Sequence, residues 1–181
     1  MANYIAQCIT PRVSSDHIAK ITVPAGGLKA GQVVIADTLD AAITGNYEVF
    51  TATQPTEDKL SSKSVGIVLN DGFETMSDGR RPNGQPNYYQ YTYNEGETAP
   101  IIYLDSHLVF IISKDALDSR TASEAAVGKF LYPTNGSNNL TVGDAIPSGT
   151  TMGLKVVALY NTPIGGLPFN GFAPSFVCIA Q

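Results

Sequence analysis

VGKFLYPTNGSNNLTVGDAIPSGTTMGLKVVALY, residues 127–160, is the stretch that decides the fold, with the apolar run FVCIA at 176–180 completing it. Short apolar runs (129–132, 154–160, 176–180) alternate with Asn-Gly, Ser-Gly and Gly-Gly dipeptides. Glycine and asparagine accept the positive φ that tight hairpins demand, so the pattern is one of antiparallel strands joined by short turns. GQVVIA at 31–36 and VGIVL at 65–69 echo GKFLYP at 128–133 and GLKVV at 153–157.

Working outward, apolar or alternating runs predict further strands at 4–10, 18–23, 32–36, 47–52, 64–69, 99–104 and 108–113. The segment 114–126, KDALDSRTASEAA, gathers Ala, Leu, Glu and Arg and predicts one short helix of about two or three turns. The fold class expected is mostly β: an antiparallel β-sandwich or barrel-like body, its strands roughly 5–7 residues long. An α/β layout is disfavoured, because no helical pattern of about 10–15 residues alternates with the strands.

The chain has 181 residues, which points to one β-rich domain, 1–181, with 1–23 as an N-terminal arm and 72–96 as a loop or hairpin excursion. Charged residues make up 15%, well below the roughly 25% of ordinary soluble domains. A surface poor in charge suits a protein that works packed against other proteins, since each buried charge would need a partner. The net charge is −5 and the longest basic run is the pair Arg80-Arg81, so nucleic acid is not an expected partner. No apolar run approaches the roughly 18 residues needed to cross a bilayer, and the opening MANYIAQCITPR lacks the basic and apolar regions of a signal peptide. Synthesis in the cytoplasm is therefore the expectation. Cys8 and Cys178 sit in apolar runs near opposite ends and read as buried thiols, or as a disulfide should the terminal strands pair.

Chemistry is sparse. Asp105-Ser106-His107 places three triad residue types side by side, but adjacency cannot assemble a triad, and no Gly-x-Ser-x-Gly elbow occurs. The two His and two Cys lack ligand spacing, and the acidic loop from Asn70 to Gly79 lacks the register of a calcium loop. Neither a P-loop nor a dinucleotide fingerprint is present, so no catalytic residue, metal or cofactor is expected. The excursion 72–96 carries more information: it holds four of the nine Tyr beside Arg80 and Arg81, and Tyr89, Tyr91 and Tyr93 share a strand parity. Tyr and Arg are favoured interface residues, although the tyrosines would serve equally to cover the core of a hairpin.

The run AVGKFLYPTNGS at 126–137, followed by Thr141-Val, PSGT at 147–150 and GLKVV at 153–157, resembles the closing portion of tailed-phage capsid decoration and head-fibre proteins. LKAGQVV at 28–34 and SVGIVL at 64–69 are similar to strands of the same small β-rich head proteins. The likeness spans roughly two-thirds of the chain and omits 72–96 and 114–126. It implies a non-enzymatic virion protein on the capsid exterior, with the major capsid protein as partner and a homo-oligomer, a trimer, as a family trait. The contact residues expected under it are Tyr4 and Ile5 of the N-terminal arm and Arg80, Arg81, Tyr88, Tyr89 and Tyr91. Two rivals stand behind it. One is a receptor- or carbohydrate-binding module that stacks sugars on Tyr89, Tyr91 and Tyr93, with Asn83, Asn87 and Asn94 bonding hydroxyls; the other, the weakest, is a small hydrolase with a fold-assembled acidic site.

Overall fold

The computed structural model describes residues 2–10, 13, 17–43, 48–70, 91–164 and 171–181. The excursion call therefore lies outside the described residues except for its end, residues 91–96. Two β layers make up the described chain. A closed five-stranded barrel takes β2 (Ile18–Thr22), β5 (Val49–Thr53), β4 (Val33–Leu39), β6 (Val65–Val68) and β8 (Thr98–Tyr103) in that order around its wall. A six-stranded sheet runs β1 (Ala6–Cys8), β9 (Val109–Ser113), β13 (Gly171–Ala180), β12 (Leu154–Ile164), β10 (Phe130–Tyr132) and β11 (Thr141–Gly143). A two-residue pair, β3 (Leu28–Lys29) with β7 (Thr92–Tyr93), lies beside them. The mostly β, antiparallel character expected from the sequence holds; among the described residues β2 and β5 run parallel, as does the isolated Leu117–Leu140 bridge.

Alternation along β4 shows how the layers share the chain. Val34 and Ala36 join Ile21, Ala52, Val68, Ala99 and Ile101 inside the barrel, while Val33 and Ile35 face the other way. There they meet Phe110, Ile112, Leu131, Leu154, Phe176 and Cys178 of the sheet. A strand buried on both faces loses its polar alternation, so VVIA and VGIV read as unbroken apolar runs. At the seam Gly31 has φ +85°, and a Cβ there would stand 2.4 Å from the Cβ of Ala116, so only glycine fits.

The topology places the whole barrel between β1 and β9 in the chain, yet those two strands pair with each other, Gln7 opposite Ile111. Three expectations need correction. Residues 114–126 form no helix of two or three turns; they make two single 3-10 turns, Lys114–Ala116 and Ala122–Glu124. Leu117 between them is extended and bridges to Leu140, and the Asp118 amide donates to the Leu140 carbonyl at 2.8 Å, so tertiary pairing wins over helix propensity. The terminal strands do not pair directly, because β9 lies between them with Phe110 opposite both Cys8 and Cys178. Two strand spacings put those cysteines about 10 Å apart, beyond disulfide reach, and both are free thiols. Finally, β12 and β13, at 11 and 10 residues, are far longer than expected.

Candidate interaction surface

The length of β12 and β13 is what builds the site. They pair from Leu154↔Ala180 out to Ile164↔Gly171. Their neighbours stop sooner: β9 follows β13 only as far as Ser113↔Ser175, and β10 follows β12 only over Leu154 and Lys155. Among the described residues, the outer half of the hairpin thus continues past its sheet neighbours as a two-stranded arm.

Cross-strand partners project on the same side of a sheet. Leu159↔Phe176, Asn161↔Pro174 and Pro163↔Phe172 therefore continue the face from which Phe176 and Cys178 enter the core. Past Phe176 that face leaves the core: Leu159 is 66% exposed and Phe172 65%. On the opposite side Thr162, Ala173 and Ser175 are buried, with the Thr162 hydroxyl donating to Ser175 Oγ at 2.9 Å and that hydroxyl donating to the Ala173 carbonyl at 3.0 Å. On that back side the small residues are buried while Tyr160, opposite Ser175, is 43% exposed; the front is bare at Leu159 and Phe172. From Val156 to Gln181 there is no Asp, Glu, Lys, Arg or His.

A proline within a paired strand must turn its nitrogen away from its partner, because it has no N–H to give. Pro163 and Pro174 therefore blunt the outer edges of the arm, and the register shift between Val156 and Ala158 distorts its base. Prolines and bulges guard edges against strand addition. What the arm offers a partner is side chains.

The expected contact residues fall elsewhere. Ile5 is fully buried, so it is a core residue and not an external contact. Its amide donates to Ser113 Oγ at 2.9 Å, and Asn70 holds the strand from the other side, accepting from the Ala6 amide at 2.7 Å and donating to the Tyr4 carbonyl at 3.0 Å. Tyr4 lies under Lys29, whose ammonium is 4.4 Å from the ring centroid. β1 is thus pinned into the sheet, with Tyr4 and Ile5 held in place just before it. Arg80, Arg81, Tyr88 and Tyr89 lie outside the described residues, as do Asn83 and Asn87. Tyr91 and Tyr93 meet edge-to-face at 5.1 Å; Tyr93 is buried and its hydroxyl donates to the Leu69 carbonyl at 3.0 Å. The Tyr91 hydroxyl donates to Glu97 at 2.8 Å, and burial, then Glu97, raises its pKa.

Asp105-Ser106-His107 forms the turn between β8 and β9. Asp105 Oδ1 accepts the Ser106 amide at 2.7 Å, and its other oxygen lies 3.6 Å from His17, not from His107. This pair borders a cleft of about 290 Å³ that Lys63, Tyr103 and Met152 also line. Ser62 there accepts the Ser64 amide at 3.2 Å. Among the described residues no group of three or more His, Cys, Asp or Glu could hold a metal ion, and no helix is long and apolar enough to cross a membrane. Compared with known proteins, the chain matches no family model and no curated protein.

Sequence reading missed the arm as a site. One signal was available: the absence of charge from 156 onward, together with two prolines inside strand-like runs.

Proposed function

We propose that this chain is a structural virion protein that attaches to the outer surface of a phage capsid and stabilises or decorates it. The observation that carries the reading is the outer half of the β12–β13 hairpin, an uncharged face that exposes Leu159 and Phe172 and is guarded by proline against strand addition. Exposed Leu159 and Phe172 on an uncharged face support a protein–protein contact there. The low overall charge and the likeness of 126–157 to phage decoration proteins direct it to the capsid. The enzyme reading finds little support at the His17–Asp105 cleft: the group 3.6 Å from the imidazole is the Asp105 carboxylate, and the Ser62 hydroxyl there accepts from the Ser64 amide. The sugar-binding reading is weakened by Tyr93, whose ring is committed to the barrel core.

The test is reinforcement. Expanded heads stripped of surface proteins and reloaded with this chain should survive heating that opens bare heads. Equal survival of loaded and bare heads, with binding verified, would overturn a stabilising role.

A further inference from the structure

The sequence holds Asn-Gly dipeptides at 83–84, 135–136 and 170–171, and the middle one lies wholly among the described residues. Asparagine before glycine is the pairing most open to deamidation, because no Cβ shields the glycine nitrogen from the asparagine amide. Asn135 is exposed in the connection between β10 and β11. The Ser137 amide donates to the Thr134 carbonyl at 3.3 Å, so residues 134–137 form a β-turn, with Gly136 at φ +71° in its third position. Among the described residues His107 is the one non-glycine with positive φ, so Asn135 is not left-handed and the turn is of type II.

Two features of this turn hold the reaction back. Ring closure needs the Gly136 nitrogen to eclipse the Asn135 Cβ about the Cα–C bond, and the extended ψ at the second residue of a type II turn keeps the two apart. The Gly136 amide also donates to the carbonyl of buried Pro55 at 2.9 Å, which retains the proton that the attacking nitrogen must lose. Neighbouring bonds fasten the same connection to the barrel. The Val33 amide donates to the Asn138 carbonyl at 2.6 Å, and the Asn138 side-chain amide donates to the Val33 carbonyl at 2.7 Å. Gln32 donates to the Asn139 side chain at 3.0 Å.

We infer that Asn135 is a self-modification site that the fold holds shut, and that it opens when the β10–β11 connection lets go of the barrel. The Gly136 nitrogen, its proton passed to water, attacks Asn135 Cγ. A new C–N bond forms, the bond from Cγ to the side-chain nitrogen breaks, and that nitrogen takes up a proton and leaves as ammonia. Water then opens the succinimide ring to aspartate or isoaspartate, so the net change is amide plus water to carboxylate plus ammonium. Either product places a carboxylate in the cleft that Glu57 lines with Pro133 and Pro147, in a chain whose net charge is already −5. Isoaspartate also adds one carbon to the backbone path, so the type II turn and its bond to Pro55 no longer fit, and the release is permanent.

The experiment is peptide mapping by mass spectrometry of the full chain, aged at mildly alkaline pH in buffer and in guanidinium chloride. Position 135 should convert at least about tenfold more slowly in the folded chain than in the denatured one, because it must wait for local opening. Asn138→Ala removes the side-chain bond to Val33 and should speed conversion at 135 in buffer while leaving the denatured rate unchanged. A folded chain that converts as fast as the denatured one, or an Asn138→Ala chain no faster than the unmodified chain in buffer, would overturn the proposal. The comparison of folded with denatured chain needs no variant, so it decides the matter even if Asn138→Ala melts early.

Discussion

His107 holds φ at 72° in the β8–β9 turn, a left-handed value that costs a residue with a Cβ about 1–2 kcal/mol. Its amide still donates to the Ala180 carbonyl at 2.9 Å, so the turn is tied to the end of β13. His107→Gly should therefore stabilise the protein by about 1 kcal/mol in urea unfolding, and a loss would show that the imidazole supports the turn. Asp118 is a second residue-level device. Hydrogen bonds from the Arg120 side chain, then from its backbone amide, hold the carboxyl at about 2. A depressed folded pKa contributes stability above the ordinary value of about 3.9 and loses it as pH falls toward 2. Asp118→Asn should melt below the unmodified protein near neutral pH, the gap closing between about pH 5 and 2. A gap unchanged at the acid end would assign the effect to packing. Burial pushes the Cys178 thiol up to about 12 and Cys8 is half-buried, so a maleimide should label Cys8 natively and both only after unfolding.

At the scale of elements, β1 behaves as structure. Ile5→Ala removes a fully buried side chain and should cost about 2–4 kcal/mol, measured by chemical denaturation. An unchanged midpoint would mean that the strand is a detachable arm. The strands themselves were legible because apolar runs and turn residues are local signals: 99–104 and 108–113 became β8 and β9, and 154–160 with 176–180 became β12 and β13. What escaped depends on partners distant in sequence. Leu28–Lys29 and Thr92–Tyr93 are strands only by virtue of each other, and residues 114–126 are kept from a helix by Leu140. Likewise GQVVIA and VGIVL resemble the later runs because each set pairs within itself, β4 with β6 and β10 with β12, in different layers. Of the contact candidates, Ile5 was misjudged because an apolar residue near a chain end looks the same whether it is a clamp or core. Arm residues Leu159 and Phe172 went unremarked because exposure is a property of the fold.

At the scale of the molecule, the barrel and the sheet share one apolar layer, with the barrel threaded between β1 and β9, and the sheet carries its longest hairpin beyond that body. The paired strands present the uncharged face preformed, which lowers the conformational entropy that docking would cost. Contacts made by apolar side chains also resist salt, unlike contacts between exposed charges. The measurement that bears most directly on the proposed role is a binding isotherm of the purified chain on expanded phage heads stripped of their surface proteins, at low and high salt. The account predicts saturation at a copy number that is a simple multiple of the capsid lattice sites, with affinity nearly independent of salt. Absence of binding, or uptake that never saturates and vanishes in high salt, would contradict it.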